Sequence, residues 1–233
     1  MPLLDPARRW TRRHLGCVAI IGVALLAAAV SGHAQSPPVP VTPIDTTNVG
    51  RAPYSRMHTL LEKTFLKVDV VIVDVWLGDE IASRLEVLVS GERYSKEIAD
   101  SVAEAVIESQ DAFIRVEFLR NVSLEQFLDG AADNLERVRK AGVITEADSE
   151  MISAGMPVWY SFLEERDIRG GDVMRYRISG DTLRTQFVSV DGQLLMDQTD
   201  VGAERRRSVL GSYFVRKSDF REGLVKSLVS EAD

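Results

Sequence analysis

Between Gly171 and Asp197 the chain reads GDVMRYRISGDTLRTQFVSVDGQLLMD, alternating apolar and polar residues twice with turn residues after each run. A period of two sends successive side chains to opposite faces of a strand, so such a run can fold only as a sheet with one face turned to a core. Met174, Tyr176 and Ile178 share one face, and Arg175 and Arg177 share the other. Ser179-Gly180-Asp181 turns the chain and Leu183 to Val190 returns. Asp191-Gly192 then predicts a short hairpin in which both central residues take φ > 0. Leu194 and Met196 begin a third strand.

Upstream, TFLKVDVVIVDVWLG (64–78) carries Val and Ile on both alternating sets, the pattern of a central strand covered on both faces. Asp69 and Asp74 interrupt opposite faces of it. SKEIADSVAEAVIESQ (95–110) places Ile98, Val102, Ala105 and Val106 on one helical stripe. In AFIRVEFLR (112–120), Ala112, Ile114, Val116 and Phe118 face inward. Ser123 with Gln126 forms a capping box for a helix that Gly142 stops, and Thr145 with Asp148 repeats the signal. That second helix carries Pro157, which is expected to kink it before Trp159. Two more helices are expected over 202–214 and 218–230. Strands are expected at 64–77, 112–119, 173–179, 183–190 and 193–198, in a mainly antiparallel sheet. The class is α+β, not a doubly wound parallel sheet.

The N-terminus has a different character. Arg8, Arg9, Arg12 and Arg13 precede an apolar run from Leu15 to Val30, and Gly32-His33-Ala34 supplies small residues for cleavage. That layout predicts a secretory signal peptide over 1–34, hence a periplasmic or secreted product. The run is short of the ~20 residues of a spanning helix. An uncleaved anchor is the alternative, and Arg12-Arg13 also permits twin-arginine export. Residues 35–56 hold five of the eight prolines and are expected to form an extended tether, with the folded domain over 57–233. Loss of the signal takes four Arg and one Asp from 28 basic and 35 acidic residues, leaving a net charge of −10. So acidic a chain does not track a nucleic-acid backbone, and it has no basic face for anionic lipid. No membrane span remains after cleavage. The single cysteine, Cys17, leaves with the signal, so the domain is held by its core rather than by disulfides. Roughly 175 residues suffice for that.

The search for chemistry returns negatives. One histidine, His58, remains beyond the signal, and no set of zinc ligands is visible. There is no Gly-x-Ser-x-Gly elbow, and Gly170-Gly171 precedes a strand instead of opening a helix on phosphate. His58 and Glu62 stand one helical turn apart, a spacing expected of a surface pair. Arg205-Arg206-Arg207 is expected to be a solvated face. Neither a cofactor, a metal nor a catalytic residue is assigned.

VEFLRNVSLEQFLDGAADNLERV, then after one more helix GGDVMRYRISGDTLRTQFVSVDGQLL, and a tail ending SDFREGLVKSLV, resemble the bacterial exported branch of the chalcone isomerase-like family. KTFLKVDVVIVDVWLG resembles that family's long early strand, with Trp76 as its aromatic. The resemblance rests on the order of these segments over most of residues 60–230. It implies an open β-sandwich-like antiparallel sheet covered by helices, with a cleft between the layers. In the family's plant enzymes an arginine before the early strand holds a substrate oxygen. An ungapped alignment puts Lys63 at that position, with Lys67 beside it, and a lysine is a point charge without arginine's fork of donors. The tail's usual Trp-Leu-Gly is absent, and SYFVRK (212–217) stands in its region. The resemblance therefore implies a non-catalytic protein that binds a fatty acid or a similar small amphipathic ligand, with Lys63 or Lys67 as carboxylate partner. The alternatives are an isomerase or lyase with a rearranged site, and a periplasmic protein acting through a partner.

Export is directly testable. N-terminal sequencing of the released protein is expected to begin near Gln35, and recovery of intact Met1 from a membrane fraction is the contrary result.

Overall fold

The structure, a computed structural model, describes residues 44–63 and 68–230, without the side chains of residues 62, 63, 68, 69 and 230. The expected signal segment 1–34 and the tether as far as residue 43 lie outside the described residues. Six strands make one sheet in chain order: β1 (Arg56–Lys63), β2 (Val68–Leu77), β3 (Asp111–Phe118), β4 (Val173–Ser179), β5 (Thr182–Val188) and β6 (Leu194–Val201). Each is antiparallel to the next. The α+β class with an open antiparallel sheet is the one observed.

Register partners in such a sheet share a face, and the inner rows can be followed across it. Val75 lies beside Ile114, Ile114 beside Tyr176, Tyr176 beside Thr185, and Thr185 beside Gln198. In the next row Leu77, Ala112, Ile178, Leu183 and Asp200 follow one another. The inner face is thus apolar over β2 and β3 and turns polar toward β5 and β6. The outer face pairs charges instead. Arg115 meets Asp74 at 3.4 Å and Glu117 at 2.7 Å, and Arg184 meets Asp197 at 2.6 Å. Only the inner face requires cover.

Six helices supply it: α1 (Asp79–Val89), α2 (Lys96–Ile107), α3 (Leu124–Lys140), α4 (Glu146–Trp159), α5 (Ala203–Phe214) and α6 (Arg221–Ser230). Helix α6 lies on β1, α2 packs against α1, α5 and α6, and α3 against α4 and α5. Their buried sides and the inner strand residues form one core. Both expected capping boxes are present, Ser123 with Gln126 and Thr145 with Asp148. Among the described residues no helix is long and apolar enough to cross a membrane.

Several local expectations are revised. Of the strand expected over 64–77, residues 64–67 lie outside the described residues and Val68–Leu77 is β2, on which Arg56–Lys63, a strand of its own, pairs antiparallel. Helix α1 also lies outside the expectation; Ala82, Leu85 and Val89 bury its narrow stripe. Helix α4 continues through Pro157 to Trp159, the missing N–H falling in its last turn. At the β5–β6 turn only Gly192 takes positive φ (+82°), because residues 189–193 form a longer loop closed by Ser189 N–H donating to Gln193 O. The tether was expected to reach residue 56, yet its last part is held on the fold. Val49 bridges to Gly78, Ser55 O accepts from Leu77 N–H, and Asp45 O accepts from Arg177 Nε at 2.7 Å.

One buried carboxylate ties three segments together. Asp172 is fully buried and accepts from Arg166 Nη2 at 2.8 Å, Arg169 N–H at 2.8 Å and Val190 N–H at 2.9 Å. Asp172→Ala leaves those donors, including a buried guanidinium, without an acceptor. It is expected to cost about 3–5 kcal/mol, read as a lower urea midpoint with unchanged slope.

Candidate functional site

Where the inner face turns polar, α3, α4 and α5 do not close fully on the sheet. A half-open cavity of about 310 Å³ lies between them. Most of its wall is apolar: Val116 and Phe118 from β3, Val122, Phe127 and Leu135 from α3 and the turn before it, Ile152 and Met156 from α4. These positions follow from pattern. Phe127, Ala131 and Leu135 recur at helical spacing on the capped α3, and Val116 and Phe118 are two apart on β3.

The polar end has two parts. The first is a set of phenols, Tyr160 just past α4, Tyr176 on β4 and Tyr213 on α5. The hydroxyls of Tyr160 and Tyr176 both donate to Met174 Sδ, which brings the two phenols together, and Tyr213 lines the same cavity. Burial away from water disfavours the phenolate in all three. It pushes Tyr160 up to about 12 and raises Tyr176 and Tyr213 further above the ordinary tyrosine value. They remain neutral donors at any physiological pH. Thr185 stands beside Tyr176 in the sheet.

The second part is charged. Arg205, in the first turn of α5, lines the cavity with its guanidinium 4.9 Å from the centre of the Trp159 ring. Trp159 in turn lies back over Gly155, where an added Cβ would sit 2.3 Å from the indole. The glycine is thus required by the ring's close approach. Asp200 of β6 also faces the cavity, and Gln198 Nε2 donates to both its oxygens at 3.1 and 3.0 Å.

The residues singled out from sequence fall differently. Lys63 ends β1 opposite Val68, and its side chain is not described; Lys67 lies outside the described residues. Leu61 lines the cavity, and the pairing register of β1 shifts between Leu61 and Glu62. His58 is in a strand, not a helix, and its Nδ1 lies 2.6 Å from Asp74 on the outer face. Ser227, which accepts from the His58 backbone N–H, donates its own hydroxyl to Leu224 O, so the three residues form no nucleophilic set. Arg205-Arg206-Arg207 is not a solvated face. Arg206 is buried and donates to Ile107 O and Ser109 O at the end of α2, Arg207 pairs with Glu108 at 2.8 Å, and Arg205 faces the cavity. Among the described residues no cluster of His, Cys, Asp and Glu could hold a metal.

Of the residues that build the polar end, alternation had marked only Tyr176 as inward. Gln198 and Asp200 continue the inward set begun by Met196, a signal carried by β6 once its length is known. Nothing in the sequence connects Trp159 to Arg205.

No family model and no curated protein matches the chain. Among solved structures, a fatty-acid binding protein of Arabidopsis thaliana matches with a TM-score of 0.53 and 15% sequence identity, over 76% of this chain and 89% of that one. The likeness shows the fold, the open antiparallel sheet with helices of chalcone isomerase-like proteins.

Burial of the phenols has a consequence for alkaline stability. Their folded pKa values lie above the ordinary, unfolded value of 10.0, so their contribution is complete below pH 10. It is lost as pH rises from 10 toward 12, where the unfolded chain has released protons that the folded one keeps. Tyr160 alone is expected to account for roughly 2–3 kcal/mol over that interval. Urea midpoints at pH 9, 10 and 11 should fall in wild type and fall less steeply in Tyr160→Phe. Parallel curves are the contrary result.

Proposed function

We propose that this chain is an exported, non-catalytic binding protein for a fatty acid or a similar small amphipathic molecule, acting in the periplasm or outside the cell. The observation that carries the reading is the cavity, a mostly apolar chamber bordered by neutral phenols, one guanidinium and one carboxylate. That distribution suits a ligand with a hydrocarbon body and a single polar head. The fatty-acid binding of the Arabidopsis thaliana protein of like fold supports it. Export rests on the basic, apolar and small-residue order of residues 1–34.

Affinity in such a site comes mainly from the tail. Each buried CH₂ contributes about 0.8 kcal/mol before the costs of association. A micromolar complex, near −8 kcal/mol, is within reach of a medium chain. The neutral phenols orient the head without the desolvation penalty that a buried lysine or carboxylate would carry.

A second reading, an isomerase or lyase, draws on the same donors. Neutral phenols and a guanidinium are the groups that stabilise a developing oxyanion. Among the described residues the cavity offers no histidine or cysteine as base, and Asp200 is held by Gln198.

Mass spectrometry of the protein purified from its native compartment is expected to find a copurified amphipathic acid. Ala131→Asp, on the half-buried face of α3, puts a carboxylate among the apolar wall and is expected to abolish binding while leaving the unfolding midpoint within about 1 kcal/mol. Absence of bound lipid, together with no binding of any added fatty acid, would remove the reading. Turnover of a chalcone well above its spontaneous cyclisation would favour the enzyme.

A further inference from the structure

We propose that Arg205, seated on the Trp159 ring, is the anion anchor of this cavity, and that it selects a single-chain monocarboxylate of medium length. The proposal deepens the binding role above and rests on it. The cation comes from the first turn of α5, not from the start of the early strand where the family resemblance placed Lys63 and Lys67.

The first ground is the state of Arg205 itself. Among the described residues its guanidinium donates no hydrogen bond and makes no ion pair, although the residue forms part of the cavity wall. The neighbouring arginines are committed, Arg206 to the α2 carbonyls, Arg207 to Glu108, and Arg216 and Arg221 to Asp100. The guanidinium carbon lies 4.9 Å from the indole centre, within cation–π range, and its N–H groups are left for a carboxylate. The seat is built from three layers. Gly155 lets the indole lie against α4, the indole supports the guanidinium, and the guanidinium borders the cavity. A group held in place before binding loses less freedom on binding.

Asp200 sets the charge of the ligand. Its carboxylate borders the same cavity, already engaged by Gln198, and forms no ion pair with Arg205. With a carboxylate already on the wall, a second negative charge on the ligand meets repulsion in a partly desolvated site. Dicarboxylates and phosphate-bearing lipids are disfavoured.

The volume sets the length. A cavity of 310 Å³ is at the lower limit of ligand pockets, about 300–1,000 Å³. A space of that size suits one acyl chain of medium length rather than two chains.

Titration calorimetry on the full chain, with decanoate, decanol, decanedioate and hexadecanoate as probes, tests each part. Wild type is expected to prefer decanoate to decanol, and added salt should weaken decanoate alone. Arg205→Gln is expected to weaken decanoate roughly ten- to a hundredfold and to leave decanol within about twofold. Trp159→Leu should act in the same direction, and Asp200→Asn should strengthen decanoate. Equal binding of decanoate and decanol by wild type overturns the anchor without any variant having to fold. Tighter binding of hexadecanoate than decanoate overturns the length. If no probe binds wild type at all, the binding role itself fails, an outcome distinct from either.

Discussion

The register of six antiparallel strands governs everything above the sheet. Because each strand pairs only with its sequence neighbour, one alternating set from every strand reaches the same face. A slip of one residue in β4 would turn Met174, Tyr176 and Ile178 outward and bring Arg175 and Arg177 under the helices. The outer face can remain uncovered because its charges pair across strands, as Arg115 does with Asp74 and Glu117. The inner face has no such option and gathers the helices.

The same register explains why a cavity opens where it does. Over β2 and β3 the inner rows are Val, Leu, Ile and Ala, which helices can pack against directly. Over β4 to β6 they become Tyr176, Thr185, Gln198 and Asp200, which need hydrogen-bond partners. Tyr160 and Tyr176 share Met174 Sδ as acceptor, Gln198 answers Asp200, and Arg205 lies over Trp159. An apolar core would bury these groups at a cost. A chamber that admits a polar head lets them keep partners and leaves the apolar side to a hydrocarbon tail.

Arg205 and Arg206 show how neighbours in sequence acquire unlike roles. Successive residues on a helix differ by about 100° in direction. Arg206 points to the end of α2 and satisfies carbonyls left open there, while Arg205 points to the sheet side and borders the cavity. A run of three arginines in an acidic chain is read most simply as a solvated patch, and two of its members are structural or cavity-facing for reasons of angle alone.

Alternation in residues 173–190, the stripe Ile98–Val102–Ala105–Val106, and the paired caps at Ser123 and Thr145 were local patterns, and each formed the element that its spacing implied. They determine an α+β chain with an antiparallel meander, because period and capping are properties of consecutive residues. Strand β1 was hidden by the adjacent Leu60 and Leu61, which blur its alternation, and by the apolar run that follows. The site was hidden more deeply. Tyr160, Tyr176 and Tyr213 come from three elements, and Trp159 meets Arg205 across a separation that includes three strands. The sequence by itself determined which residues of β3 and of the β4–β5 meander share a face. Only the tertiary structure decided which inward residues meet, because that depends on the crossing of helices over the sheet.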